Sequence, residues 1–152
     1  MMIDQLAPDF TLYDQDNQSH TLSSYKGKNV LLYFYPRAST PGCTVQAQGL
    51  RDINKELEKN NVIVLGISPD TPKRLKNFSE KQQLNFTLLS DIDHSVCELY
   101  NVWQLKKFMG KESMGVVRTT FFIDTSGKIT HIFDQFKTKD HHEVVLNYLN
   151  KK

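Results

Sequence analysis

Asn29-Val30-Leu31-Leu32-Tyr33-Phe34-Tyr35-Pro36-Arg37-Ala38-Ser39-Thr40-Pro41-Gly42-Cys43-Thr44 carries a continuously apolar run into a proline-marked helix start. Six apolar or aromatic positions in succession, Val30 to Tyr35, with no alternation, describe a central strand covered on both faces. Thr40 is suited to cap the helix that follows and Pro41 to occupy its first position, which places Cys43 in the first turn. There the backbone N–H groups have no intrahelical partner and the helix dipole is positive, and both favour a charged sulfur over a thiol. Beyond Cys43, Ala47, Leu50, Ile53 and Leu57 recur at three- and four-residue steps, marking the buried face of a helix that ends near Asn60. Val62 to Ile67 is a second buried strand, completing a βαβ unit.

Outward from this unit the chain alternates. Upstream, Thr11 to Tyr13 and Thr21-Leu22 flank a polar stretch and predict a small amino-terminal hairpin at the sheet edge. Downstream, Asp70-Thr71-Pro72 starts a helix with Leu75 and Phe78 inward, Phe86 to Ser90 is a short strand, and Asp91-Ile92-Asp93 opens a helix to about Asn101 that contains Cys97. Lys106 to Gly115 mixes lysines with Phe108, Met109 and Met114 and predicts a loop over the body, with Trp103, Phe108 and Met109 either packing or lining a pocket. Val116 to Asp124 and Ile129 to Phe133 predict a hairpin that places Arg118 inside a strand. A last helix, about His141 to Leu149, buries Val144, Val145 and Tyr148, with His141-His142 on a solvated face. The pattern is α/β, a central mixed sheet flanked by helices with an amino-terminal β-hairpin, in a single domain over residues 1–152.

Composition narrows the function classes. A net charge of +2 with scattered lysines gives no reason to expect nucleic-acid or membrane binding, and no run approaches the ~20 apolar residues of a membrane span. Met1 to Gln5 lacks a basic region leading into an apolar run, so no secretory signal is expected. Two cysteines do not make a disulfide scaffold, and a reducing cytoplasmic setting follows. His94-x-x-Cys97 has no matching second pair, so no metal is expected.

Around Cys43, Pro36 and Pro41 would shield the sulfur, and Gly42 would let a small substrate approach the backbone. Thr40 offers a hydroxyl three residues before the thiol, whether for substrate or for capping. Arg118, flanked by apolar residues, needs an anion: either a structural carboxylate or the Cys43 sulfur together with an oxygen released from a broken O–O bond.

Pro36-x-x-x-Thr40-x-x-Cys43, with Ala7-Pro8-Asp9-Phe10 upstream and Arg118 downstream, resembles the peroxiredoxins. Phe34-Tyr35-Pro36, Arg51-Asp52, Lys106-Lys107-Phe108-Met109-Gly110-Lys111, Met114-Gly115 and Arg118-Thr119 resemble the bacterioferritin comigratory protein or Q-type subfamily. The resemblance implies a thioredoxin-like fold and a thiol-dependent peroxidase, monomeric and without cofactor. Its substrates would be hydrogen peroxide and organic hydroperoxides, and its reductant thioredoxin or a low-molecular-weight thiol. It implies Cys43 as the peroxidatic cysteine, Thr40 and Arg118 as its activating partners, and Pro36 as the shielding proline. Two positions depart from the subfamily pattern: Gln48 stands where many members have a second cysteine, and Gln46 where a glutamate is frequent. Cys97 is the only internal candidate to resolve oxidised Cys43, against the alternative of an inert core thiol, and a one-cysteine cycle is favoured. A thioredoxin-type oxidoreductase lacks support because residue 46 is not cysteine, and a non-catalytic redox sensor or holdase stands as the alternative from another class.

Overall fold

The computed structural model describes residues 1–151, with the backbone alone of Phe108. The predicted central strand is β3 (Asn29–Phe34), and it lies between β4 (Val62–Ser68), which runs parallel to it, and the later β8 (Thr119–Ile123), which runs antiparallel. The remaining strands are β1 (Thr11–Asp14), β2 (Ser19–Thr21), β5 (Thr87–Ser90), β6 (Trp103–Phe108), β7 (Lys111–Val116) and β9 (Ile129–Phe133). One mixed sheet of seven strands has the order β2-β1-β5-β4-β3-β8-β9, which puts the amino-terminal hairpin at one edge as expected.

Alternate residues of β3 feed two cores. Leu31 and Tyr33 pack with Ala47, Leu50 and Leu57 of α1 (Pro41–Lys59), Leu75 and Phe78 of α2 (Pro72–Gln82) and Val145 of α4 (His141–Asn150). Val30, Leu32 and Phe34 pack on the other face with Phe10, Val116, Phe121 and Val96 and Cys97 of α3 (Ser95–Leu99). Each fully buried large side chain contributes about 1.5–3 kcal/mol, so the two layers together secure the sheet. Period-two geometry therefore separates the two cysteines: Cys43 belongs to one layer and Cys97 to the other.

Four expectations are corrected. Residues 106–115 are not a loop: β6 and β7 form a separate two-stranded hairpin, turned by Met109 and Gly110 at φ 51° and 79°. Both central residues take the left-handed conformation that tight hairpin turns require. Arg118 lies in the two-residue connection between β7 and β8 rather than inside a strand. The third helix starts at Ser95, because the buried Asp91 carboxylate accepts from the N–H groups of Val96 and Cys97 at 3.1 and 2.7 Å. His141 is fully buried rather than solvated, with Nε2 2.9 Å from Thr120 Oγ1 and its ring against Phe136.

Burial pushes the His141 pKa down to about 3, helped by His142 and Arg118. Its unfolded-state value is near ~6.5, so His141 takes up a proton on unfolding across the interval between them. Stability is fully present above the unfolded value and falls as pH drops toward 3, by up to about 1.4 kcal/mol per pH unit. Urea denaturation at pH 7, 5 and 4 is expected to show a loss in the wild type that is smaller in His141→Asn.

Candidate active site

β8 pairs antiparallel with β3, with Thr119 opposite Phe34, so the residue before β8 arrives where β3 ends and α1 begins. That residue is Arg118, and its Nη2 donates to Cys43 Sγ at 3.2 Å. Nη1 donates to Gln46 Oε1 at 2.8 Å, one helical turn beyond Cys43. The guanidinium is thus held at two points on α1, and Cys43 itself is only 1 % exposed. A Cβ added at Gly42 would lie 3.0 Å from Arg118 Nη2. Gly42 therefore leaves room for the arginine, a nearer requirement than the substrate access expected from the sequence.

Thr40 is the N-cap of α1 by backbone geometry, with φ −86° and ψ 154°, but its side chain does not cap. Its hydroxyl donates to Arg37 O at 2.9 Å instead. With the proton committed there, the remaining lone pairs of Thr40 Oγ1 are free to accept a hydrogen bond. Pro36 is half-buried and Pro41 exposed, bracketing the loop.

Asp70, which sequence reasoning used only to start a helix, anchors this loop. Its buried carboxylate accepts from Ala38 N at 2.7 Å and from Ser68 Oγ at 2.8 Å, while Arg74 approaches to 3.4 Å. The signal for this role was absent because Ala38 and Asp70 meet only through the parallel pairing of β3 and β4.

Beneath the sulfur lie Tyr33 and Tyr35, stacked at 5.2 Å, and burial holds both phenols well above their usual titration range. Both hydroxyls, Gln46 Nε2 and His141 Nδ1 have no hydrogen-bond partner among the described residues. At the other end of β3, a cavity of about 230 Å3 lined by Leu6, Leu22, Val30 and Ile123 includes no residue of the Cys43 loop.

Cys97 is placed differently. Burial, and then the Asp91 carboxylate, push its thiol far up, the reverse of activation. The Gln48 side chain donates to Gln82 Oε1 at 2.9 Å, and Arg51 Nη1 donates to Gln82 O at 2.7 Å, tying α1 to the end of α2. Trp103 stacks on His94 at 4.0 Å, and Met109 is exposed at the hairpin tip. Phe108, considered with them, has a side chain outside the described residues. No group of three or more potential metal ligands occurs among the described residues.

Residues 3–132 match the AhpC/TSA family. The chain belongs to that family. It is 58% identical over 146 residues to peroxiredoxin Bcp of Escherichia coli K12, covering 96% of this chain and 94% of the relative. Peroxiredoxin Bcp of Bacillus subtilis is 42% identical over 139 residues, covering 91% and 88%. Among solved structures, a variant of Xylella fastidiosa PrxQ superposes with a TM-score of 0.93 at 31% identity, covering 99% and 96%. The Xanthomonas campestris bacterioferritin comigratory protein, described for its alkyl peroxide reduction activity, gives 0.88 at 32%, covering 93% and 90%. The fold is accordingly thioredoxin-like, and the AhpC/TSA chain is a peroxiredoxin, a thiol-dependent peroxidase.

The 3.0 Å limit at Gly42 yields a direct check on the arginine contact. Gly42→Ala is expected to lower the rate of Cys43 oxidation by hydrogen peroxide about tenfold, ~1.4 kcal/mol of transition-state stabilisation. Stopped-flow kinetics measures it, with the melting temperature recorded to exclude unfolding.

Proposed function

We propose that Cys43 reduces hydrogen peroxide and organic hydroperoxides, with Arg118 and Thr40 as its partners, and that residues 1–152 work as one monomeric peroxiredoxin domain. The observation that carries this reading is the 3.2 Å contact between Arg118 Nη2 and Cys43 Sγ at the start of α1. The Cys43 thiolate attacks one peroxide oxygen, the O–O bond breaks, and its electron pair leaves on the departing hydroxide or alkoxide. Two electrons pass from sulfur to peroxide, leaving Cys43 as a sulfenic acid. The Arg118 guanidinium stabilises first the attacking sulfur and then the departing oxygen, which takes up a proton. Thr40 Oγ1, already donating to Arg37, accepts from the O–H of the bound peroxide. Pro36 and Pro41 limit the opening to the terminal group of a small substrate.

The cycle we favour uses one cysteine. Cys97 lies across the sheet with a thiol strongly biased to its neutral form, and Gln48 provides no thiol within α1. An external thiol, thioredoxin or a low-molecular-weight thiol, therefore attacks the Cys43 sulfenic acid, releasing water and forming a mixed disulfide. A second thiol then restores Cys43. A reducing compartment such as the cytoplasm suits this dependence.

Mass spectrometry after one equivalent of hydrogen peroxide is expected to show gain of one oxygen, trapped by dimedone, and none in Cys43→Ser. Loss of two hydrogens would mean an internal disulfide with Cys97 and overturn the one-cysteine cycle. A single oxidation that no thiol reverses would favour a redox sensor instead.

The neutral Gln46 leaves the charge of Arg118 undivided. Gln46→Glu is expected to leave the thiolate ultraviolet absorbance of Cys43 at fixed neutral pH unchanged or lower. A rise would contradict this account.

A further inference from the structure

The β6–β7 hairpin is paired only with itself, and two-stranded ribbons alone in water are marginal at best. Its register sorts its side chains onto two faces. Trp103 faces Val116 and Leu105 faces Met114 on one side, while Lys106 lies opposite Ser113 on the other. Val116 is buried in the core, but Leu105, Met114 and the turn residue Met109 are 58 %, 50 % and 88 % exposed. An apolar stripe thus begins in the core and runs outward to Leu105 and Met114, which no described residue fully covers. Leu105 and Met114 face each other across the ribbon, and the Lys107–Glu112 pair on the same face separates them from Met109 at the turn.

The charge on the hairpin is equally one-sided. Lys106, Lys107 and Lys111 stand against the single acid Glu112, which is 3.2 Å from Lys107. Lys106 bonds Val116 O, and Lys111 has no acidic partner among the described residues. The hairpin therefore carries the same formal +2 as the whole chain. Two residues beyond its end comes Arg118, which touches Cys43.

We propose that this basic, apolar-striped hairpin is the docking surface for a protein reductant that presents an acidic rim beside an apolar patch next to its thiol. The inference deepens the external-thiol reading of Cys43 and rests on it. The lysines attract and orient the partner, Leu105, Met109 and Met114 supply the apolar contact, and the root of the hairpin delivers the partner's thiol beside Arg118 and Cys43. A small thiol needs no such surface.

Two variants, Lys111→Glu and the pair Leu105→Gln with Met114→Gln, separate these routes. Steady-state turnover of hydrogen peroxide is measured with thioredoxin, its reductase and NADPH, and separately with dithiothreitol. The expected result is a loss of about tenfold in kcat/KM for thioredoxin, with Cys43 oxidation and dithiothreitol turnover unchanged. The wild-type value should also fall with added salt, more steeply than in Lys111→Glu. Equal losses with both reductants, unchanged thioredoxin turnover, or a wild type that thioredoxin does not reduce would each overturn the proposal. So would sedimentation showing that the substitutions dissociate a dimer, since the stripe would then belong to a second copy. The mass of the oxidised protein tests the one-cysteine cycle separately, because a Cys97 disulfide would leave the ratio between the two reductants readable.

Discussion

The contact between the Arg118 guanidinium and the Cys43 sulfur is the constraint that the surrounding structure satisfies. An arginine and a cysteine so distant in sequence meet because β8 runs antiparallel to β3 while β4 runs parallel to it. One pairing brings Arg118 to the end of β3, and the other brings Asp70 to hold the loop at Ala38. Gly42 and Gln46 then accommodate the guanidinium on α1 from two sides. Misplacing any of these would move a charge that acts at short range in a poorly solvated site, where its effect is larger than in water.

Polar groups are buried around this contact at a cost. Two tyrosine hydroxyls, the Gln46 amide nitrogen and His141 Nδ1 lack partners among the described residues, and such groups cost about 1–3 kcal/mol each. They lie in the same core layer as Cys43 or against it, so the layer that packs α1, α2 and α4 also carries the polarity of the site. The opposite layer is more ordinary: Cys97 serves there as a packed side chain whose backbone N–H is taken by Asp91.

How much of this was legible in the sequence depended on whether a segment buries a face. Strand β3, helix α1 and strand β4 were readable because burial on both faces or along one stripe leaves an unmistakable period. The β6–β7 hairpin was not, since beyond its buried root it is largely exposed and it turns on Met109-Gly110 rather than on a familiar turn pair. His141 was misread as solvated because the start of an amphipathic helix gives no clue that Thr120 awaits it from another element. The residues of the site were visible as motif members, whereas Asp70 was hidden because its partner lies on a neighbouring strand. Period reports which face of an element is buried, but not which distant backbone group a carboxylate will hold.

The bonds from Gln48 and Arg51 to Gln82 tie the middle of α1, beyond the turn that carries Cys43, to the end of α2. Where a helix unwinds to hand its oxidised cysteine to a neighbouring thiol, the sulfur leaves the peroxide pocket within each turnover. In the one-cysteine cycle proposed above, a Cys43 sulfenic acid would stay where peroxide arrives, and a second oxidation to sulfinic acid would compete with the incoming reductant. That cycle would make the fate of the protein a race between two solutes. With thiol plentiful the enzyme would cycle, and with peroxide outrunning it the enzyme would be consumed by its own substrate.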